Sequence, residues 1–201
     1  AYQLAKRGVA VTLREMKPQK MSPAHTSEYF AELVCSNSLR GAGLENAVGL
    51  LKEELRRLDS VILRAADATR VEAGGALAVD RFGFSQYVTE AIRNHPNITV
   101  VEGEATELPE GQVVVATGPL TSDAMAEHLM GLIGGESSTL HFFDAAAPLV
   151  AFESIDLSRA WFASRYDKGT ADYINCALEK DEYQAFWREL CGAEEAEVHG
   201  F

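Results

Sequence analysis

Several features typical of membrane, secreted and zinc proteins are missing from this chain of 201 residues. It contains no run of about 18 apolar residues, so no transmembrane helix and no membrane partner are expected. The opening AYQLAKRG is amphipathic and lacks the charged-then-apolar order of a signal peptide. The three cysteines form no CxxC motif and no cluster with the five histidines. This pattern predicts no metal site and a reducing compartment, the cytoplasm.

Basic residues are scarce relative to acidic ones. The chain has 18 Lys and Arg against 30 Asp and Glu, and its formal net charge is -12. Binding of nucleic acid by charge requires clustered Lys and Arg, so this composition argues against a generic nucleic-acid-binding protein. The local basic segment KEELRR at 52–57 is explained more simply as a solvated helix face, with Glu53 and Arg57 four residues apart.

A glycine-rich phosphate-binding loop is also missing, although what normally follows such a loop is present. Residues 1–8 predict the end of a helix closed by Gly8, and residues 9–16 alternate like a strand that ends near Glu15. This order is typical of the second half of a dinucleotide-binding βαβ unit, where the acid accepts hydrogen bonds from a ribose hydroxyl. We therefore expect the sequence to begin inside the first helix of a larger α/β protein, with Glu15 at the ribose.

The rest of the chain predicts further helices and strands. Periodicity predicts a long functional loop over 17–43, helices over 44–58 and 84–94, and strands over 61–65, 98–103 and 113–117. The last strand, VVVAT, stops at Gly118, which would let a cofactor approach the edge of a parallel sheet closely. The same pattern, an apolar run followed by glycine, also fits any buried strand that is followed by a turn. A change of composition places a boundary near residue 120, and a helix over 181–190 is expected to pack its aromatic face into a core.

Six segments occur in a specific order along nearly the whole chain: FAELVCSNSLRG, ENAVGLLKEELRRL, ADATRVEAGGALAVDR, ATGPLTS, DAAAPLV and SRYDKG. Together they resemble the folate- and FAD-dependent tRNA (uracil-5-)-methyltransferase family TrmFO, which is related to the GidA tRNA-modifying flavoproteins. The resemblance implies an α/β fold. Residues 1–120 would form an FAD-binding, Rossmann-like domain of the two-dinucleotide-fold type, incomplete at its N-terminus. Residues 121–201 would form part of a smaller inserted α/β subdomain.

The resemblance also implies an activity. The family takes a methylene group from methylenetetrahydrofolate and places it on C5 of the T-loop uridine of tRNA, with the flavin as carrier and NAD(P)H as electron donor. The partners implied are the small-molecule folate and, for the complete enzyme, tRNA. We expect the isolated chain to be inactive and to bind FAD weakly or not at all, because the helix N-terminus that would bind the pyrophosphate is absent.

A reactive cysteine is central to this chemistry, since uracil C5 is a poor nucleophile until a thiolate adds to C6. By resemblance, Cys35 is the first of two cysteines discussed for catalysis in the family, whereas the second, in an EGC motif, has no match here. A small buried thiol is the alternative. The residues predicted to contact the cofactor are Glu15, Ser36, Asn37, Ser38, Arg40, Gly74, Gly75, Asp80, Arg81, Thr117 and Gly118.

Two of these assignments have structural alternatives. Gly74, Gly75, Asp80 and Arg81 fit a tight turn with an internal Asp–Arg pair as well as a cofactor-facing turn. In SRYDKG, Arg165 and Lys168 are predicted to bind phosphate or the folate tail and Tyr166 to stack on a ring, although a solvated hairpin tip has the same composition.

Two other functions stay open on sequence alone. One is another GidA-related tRNA-modifying flavoprotein or an oxidoreductase, for which the expected CNPSIGG-like motif is absent. The other is a non-catalytic fragment that serves only for packing or binding.

Overall fold

The computed structural model describes residues 1–133, 150–164 and 170–194. Its contacts divide the chain into two compact units, Ala1–Pro148 and Leu149–Phe201. The boundary expected near residue 120 concerns the domains of a longer enzyme and stays a prediction. None of the helices in the described ranges has the length and apolar character needed to cross a membrane.

The described elements combine helices and strands along the chain, as expected for an α/β fold. In chain order they are α1 (Tyr2–Lys6), β1 (Val11–Glu15), β2 (Ser38–Gly41), α2 (Ala47–Arg57), α3 (Val61–Ala68), β3 (Arg70–Val71), β4 (Ala76–Val79), α4 (Arg81–Arg93), β5 (Ile98–Glu102), α5 (Asp123–Ile133), β6 (Ala160–Ala163), β7 (Tyr173–Cys176) and α6 (Lys180–Gly192), with 3-10 turns at Gly118–Leu120 and Phe152–Ser154.

The start of the chain has the predicted helix-then-strand arrangement. Helix α1 ends before Gly8, whose φ of 85° lies in the left-handed region that glycine adopts without strain. Strand β1 then pairs in parallel with β5, in a register that places Glu15 beside Glu102. Both strands therefore present an acidic residue at the same carboxyl edge of the sheet.

A second sheet carries the segment that contains the predicted site. Strand β4 lies between β2 and β3 and runs antiparallel to both. Leu77 and Val79 of this strand are fully buried, and Phe84 of the following helix α4 is 1% exposed. These side chains form the centre of the core of the first unit.

The strand predicted over 61–65 is wrong, because these residues begin helix α3. The apolar start VIL suggested a strand, but the continuation contains three alanines, which have the highest intrinsic helix propensity. Val61, Leu63 and Ala65 are all buried. Burial of these apolar side chains in the core therefore stabilises the helix.

The strand predicted over 113–117 is also wrong for this chain. Residues 113–117 have no regular secondary structure, and Val113, Val114 and Val115 are 40%, 81% and 39% exposed. A strand requires a neighbour for its backbone hydrogen bonds. Within the described ranges no strand pairs with this segment, so apolar character alone does not make it a strand.

The second unit contains a small antiparallel pair and one helix. Strand β6 pairs with β7, with Ala160 opposite Cys176. Helix α6 begins with a capping box. The Glu179 carboxylate accepts a hydrogen bond from the backbone N–H of Glu182, and the Glu182 carboxylate accepts one from the backbone N–H of Glu179. The predicted burial of its large apolar side chains is wrong. More than half of each is exposed, in Tyr183, Phe186, Trp187 and Leu190.

Candidate cofactor site

Cys35 lies in a surface segment between two backbone anchors. On one side, the Arg81 guanidinium donates a hydrogen bond to the carbonyl oxygen of Leu33. On the other, the backbone N–H of Val79 donates to the carbonyl of Asn37 at 3.0 Å, and the Asn37 amide Nδ2 donates to the carbonyl of Val79 at 3.0 Å. The thiol of Cys35 is exposed. The alternative of a small buried thiol is therefore wrong.

The polar string after Cys35 is organised by local side-chain hydrogen bonds. The Ser36 hydroxyl accepts from the backbone N–H of Ser38 at 3.0 Å, and the Ser38 hydroxyl accepts from Arg40 N–H at 3.1 Å. Such bonds fix turns and leave each hydroxyl hydrogen available to another acceptor. Arg40 has a φ of 68°, at an irregularity in the pairing between Ser38 and Gly41. The irregularity interrupts the regular alternation of side chains along β2 at Arg40.

The glycine pair is joined to this segment through the β2–β4 pairing. The carbonyl of Gly75 accepts a hydrogen bond from Ala42 N–H at 2.9 Å, and Gly74 has a φ of 56°. A Cβ added at Gly75 would meet nothing within 4 Å. The Cα of Gly75 is therefore open to a neighbouring group, and its carbonyl is held to the end of β2.

Asp80 and Arg81 have structural contacts that differ from the internal pair considered above. Asp80 is the N-cap of α4 and accepts a hydrogen bond from Gly83 N–H at 2.6 Å. Arg81 reaches the Leu33 carbonyl instead. Among the described residues no ion pair joins these two side chains. Their assignment to the cofactor stays a prediction.

Glu15 lies at the carboxyl end of β1, the position predicted for an acid that binds a ribose. Its Oε1 accepts the backbone N–H of Lys17 at 3.0 Å, which fixes the carboxylate at the strand end. The neighbouring acid Glu102 is neutralised by Arg93, whose Nη2 lies 2.6 Å from Glu102 Oε1. Within the described part of the chain, Oε2 of Glu15 has no hydrogen-bond partner. One carboxylate oxygen is thus held and the other can accept hydrogen bonds from a diol.

Thr117 and Gly118 form a turn of their own. Gly118 has a φ of 68°, nothing lies within 4 Å of a Cβ built on it, and its carbonyl accepts from the Thr121 hydroxyl at 2.7 Å. Among the described residues, no hydrogen bond joins this turn to Glu15 or to the Cys35 segment. Arg165, Tyr166 and Lys168 lie outside the described residues.

The structure adds two charged residues that the sequence analysis did not single out. Lys17 and Glu32 form a buried ion pair, with Lys17 Nζ 3.3 Å from Glu32 Oε2 and side chains only 3% and 7% exposed. The available signal is a lysine at the start of the long loop and a glutamate in its interior. Their separation of 15 residues matches no local pattern, so spacing alone does not reveal the pair.

The Glu32 carboxylate makes the loop sensitive to acid. Burial alone raises the pKa of Glu32, but hydrogen bonds from Thr26 and Ser27 and the charge of Lys17 outweigh it and lower that pKa. Because the folded-state pKa lies below the unfolded value of about 4.3, this stabilisation is complete above that value. It is lost as the pH falls through the folded-state pKa.

We therefore expect hydrogen exchange at the Thr26 and Ser27 amides to accelerate, relative to intrinsic rates, as the pH is lowered below about 4. Glu32→Gln should remove this acid-dependent step, because the residue no longer titrates. Glu28→Gln is the matched control, since Glu28 lies in the same loop and is exposed. An identical exchange profile in all three proteins would contradict the prediction.

His25 adds a second acid-sensitive group to the same loop. Burial, followed by the charge of Lys17, lowers the pKa of His25, and its Nδ1 lies 2.9 Å from the Ser22 hydroxyl. Its imidazole is therefore neutral at neutral pH. His25 still titrates in Glu32→Gln, so an acid-dependent change that this variant loses is assigned to Glu32.

Comparison with known proteins identifies the family. A family model described as glucose inhibited division protein A matches residues 1–201. The chain belongs to this family. Membership supports an FAD-binding α/β fold, and it confirms the predicted resemblance to the GidA-related proteins.

Individual relatives are similar over the whole chain. Proteins named methylenetetrahydrofolate–tRNA-(uracil-5-)-methyltransferase TrmFO are 61% identical over 202 residues in Acetivibrio thermocellus, 59% over 201 in Lactobacillus helveticus and 55% over 201 in Staphylococcus saprophyticus. Each alignment covers 100% of this chain but 46%, 49% and 46% of the relative. The chain therefore spans about half the length of the relatives it matches.

Metal ligation has no support in the described ranges. No group of three or more His, Cys, Asp and Glu side chains there is arranged to hold a metal ion. The polar groups of the site are a carboxylate, two serine hydroxyls, an arginine and open glycine backbone. This donor set suits an organic cofactor with ribose and ring hydrogen-bonding groups, and it fits part of FAD.

Proposed function

We propose that this chain is part of a flavin-dependent enzyme that transfers a one-carbon unit from methylenetetrahydrofolate to C5 of the T-loop uridine of tRNA. In this proposal NAD(P)H supplies the electrons, and the enzyme works in the cytoplasm. The observation that carries the proposal is the exposed Cys35, which is anchored on both sides and tied through β2 and β4 to the open glycine turn. The names of the relatives support the same activity.

The residues of this chain have distinct roles in the proposal. Glu15 accepts hydrogen bonds from the adenosine ribose, and the hydroxyls of Ser36 and Ser38 donate to the cofactor ring or to the pocket beside it. Gly75 and Gly118 allow the backbone to approach the cofactor without a side-chain clash. FAD, when bound, supplies the carrier of the one-carbon unit.

Cys35 supplies the thiolate. Its sulfur adds to C6 of uracil, and the electron pair of the C5–C6 double bond moves to the C4 carbonyl to give an enolate that is nucleophilic at C5. C5 then forms a bond to the methylene carbon, gives up its proton to a base and expels the carrier. A hydride equivalent derived from NAD(P)H would reduce the methylene to methyl as the thiolate leaves C6 and the C5–C6 double bond is restored. Arg165 and Lys168 are proposed to bind phosphate or the folate tail, and Tyr166 to stack on a ring.

The domain arrangement is part of the same proposal. Residues 1–120 are taken as a portion of the FAD-binding domain of the two-dinucleotide-fold type, and residues 121–201 as a portion of an inserted α/β subdomain. The pyrophosphate has no glycine-rich loop in this chain, so the isolated chain should stay colourless after incubation with FAD and desalting.

The test is methylation of tRNA by a polypeptide that extends this chain to the length of its relatives. Labelled methylenetetrahydrofolate, FAD and NAD(P)H are supplied, and label in the T-loop uridine is counted. We expect Cys35→Ser to lower the rate by about a thousandfold or more, because the nucleophile is lost. Cys176→Ser is the control, because Cys176 is also exposed but lies in the other unit.

The possible results separate the candidate functions. No label transfer by the unmodified enzyme would overturn the proposed reaction. Oxidation of NAD(P)H without transfer would favour an oxidoreductase. Equal transfer by Cys35→Ser and Cys176→Ser would remove Cys35 from the mechanism while leaving the reaction in place.

A further inference from the structure

A buried ion pair lies at the base of the loop that carries Cys35. The Lys17 ammonium is surrounded by protein, and it donates hydrogen bonds to the Glu32 carboxylate and to the backbone carbonyl of Tyr29. Both side chains are more than nine-tenths buried. Ionised groups removed from water in this way require partners for their charge and for their hydrogen-bonding capacity.

Glu32 fixes the loop by bonding to its backbone. Oε1 accepts from the Thr26 backbone N–H at 2.8 Å and from the Thr26 hydroxyl at 2.8 Å, and Oε2 accepts from Ser27 N–H at 3.2 Å. A single carboxylate therefore closes the turn from residue 26 to residue 32. The end of this turn is three residues ahead of Cys35.

Lys17 connects the same loop to the end of strand β1. Its backbone N–H donates to Glu15 Oε1 at 3.0 Å, while its side chain bonds to Glu32. One residue thus contacts both the acid assigned to the ribose and the carboxylate that closes the turn ahead of Cys35. The two parts of the proposed site are joined through Lys17.

Helix α4 supplies additional anchors for this loop. Phe30 N–H donates to the Thr89 hydroxyl at 2.8 Å, and the Ser85 hydroxyl donates to the carbonyl of Ala31 at 3.4 Å. Arg81 of the same helix donates a further hydrogen bond to the carbonyl of Leu33, the residue after Glu32. Any contribution of the ion pair to the location of Cys35 must therefore be measured against these anchors.

Stability alone does not account for a buried pair of charges. Replacing such a pair by well-packed apolar residues is often neutral or stabilising, whereas removing one partner is strongly destabilising. An apolar pair would not accept the hydrogen bonds of Thr26 and Ser27, however. What the carboxylate contributes beyond packing is a specific backbone conformation.

We propose that Lys17 and Glu32 are positioning residues, which hold the segment that carries Cys35 in a defined place relative to the end of β1. The proposal rests on the proposed function only in that Cys35 is the reacting group. The contacts themselves are independent of that chemistry.

The experiment measures the mobility of position 35 directly. In a background with Cys176→Ser and Cys191→Ser, a thiol-specific nitroxide is attached to Cys35, and its electron paramagnetic resonance line shape is recorded in the purified chain. We expect Glu32→Gln to shorten the rotational correlation time of the label by about twofold or more. The amide NH2 group in place of one carboxylate oxygen cannot accept the bonds from Lys17 and Ser27, so loop motion on the nanosecond scale increases. Glu28→Gln, with the same charge change in the same loop, should leave the line shape unchanged.

Two further variants separate positioning from stability. Lys17→Arg keeps a cation and hydrogen-bond donors at the pair and should retain the restricted line shape. The double variant Lys17→Met, Glu32→Leu removes the buried charges and should fold with stability close to that of the parent. Its label should nevertheless be mobile, because no acceptor is left for Thr26 and Ser27.

Each outcome decides the proposal. A restricted label in Glu32→Gln would show that the α4 anchors hold Cys35 without the ion pair. That result would overturn the proposal that Lys17 and Glu32 position Cys35. If Glu32→Gln does not fold, the double variant decides: a mobile label at parental stability supports positioning, and a restricted label refutes it.

The proposed function is tested separately from the ion pair. In the extended enzyme, Glu32→Gln is expected to lower kcat for methyl transfer without raising KM for tRNA, because it displaces the nucleophile and not a binding group. A mobile label combined with unchanged methyl transfer would confirm the positioning and count against Cys35 as the reacting group.

Discussion

Replacing Gly49 with alanine is expected to lower the free energy of unfolding by about 3 kcal/mol, at the upper end for overpacking in a well-packed region. A Cβ at position 49 would lie 1.9 Å from the carbonyl oxygen of Gly43, 2.6 Å from its carbonyl carbon and 3.0 Å from that of Ala42. All three atoms belong to the backbone. The loop must therefore move, and it cannot relieve the clash by rotating a side chain.

The displacement would reach the proposed site. Ala42 N–H is bonded to the carbonyl of Gly75, and residues 38–41 form strand β2 directly before it. Movement of the 42–43 backbone therefore disturbs both the glycine turn and Arg40. We expect Gly49→Ala to alter this face of the protein as well as its stability.

Gly131→Ala is the matched control for the same substitution in a helix. Gly131 lies in α5, and a Cβ there meets no atom within 4 Å. Alanine should raise stability by about 0.5–1 kcal/mol, because it restricts the unfolded chain and favours helix. Urea unfolding followed by circular dichroism measures both variants. Equal midpoints for Gly49→Ala and the parent would show that the loop accommodates the methyl group.

Phe84→Ala is expected to lower the free energy of unfolding by about 3–5 kcal/mol. Phe84 is 1% exposed and lies in the core with Leu77 and Val79, which are fully buried. Removal of the ring leaves a cavity between α4 and β4 that neighbouring side chains fill only in part. A loss of this size exceeds what most single substitutions cause.

Phe82→Ala tests whether the loss comes from burial. Phe82 is in the same helix, two residues away, but is 69% exposed. Its replacement should change stability by no more than about 0.5 kcal/mol. Thermal or urea unfolding of the two variants gives the comparison directly, and similar losses for both would contradict the placement of α4.

The sequence predicts elements well where the signal is local. The helix end at Gly8, the strand that ends at Glu15, and helices α2 and α4 follow from periodicity and from residues suited to helix ends. The two errors, over 61–65 and 113–117, concern short apolar runs. Their conformation depends on the surface or strand that packs against them, which the run itself does not specify.

The candidate site is predictable to a similar degree. Glu15 is identified because a strand end and an acid are adjacent in sequence, and Cys35 because it lies inside a recognisable segment. The pairing of β2 with β4, which brings Ser38 beside Ala78, depends on residues 40 positions apart. The Lys17–Glu32 pair and the contact of Arg81 with Leu33 likewise connect distant parts of the chain, so no local spacing encodes them.

The uncovered apolar side of α6 has a practical consequence for handling the protein. Phe186 and Trp187 are 54% and 55% exposed, and apolar surfaces of this kind promote association. At low ionic strength the net charge of -12 opposes contact between copies. Added ammonium sulfate both screens that repulsion and strengthens apolar attraction. Hydrophobic association through α6 should therefore strengthen as the salt concentration is raised. The chain should be retained on a phenyl resin at high salt and released at low salt.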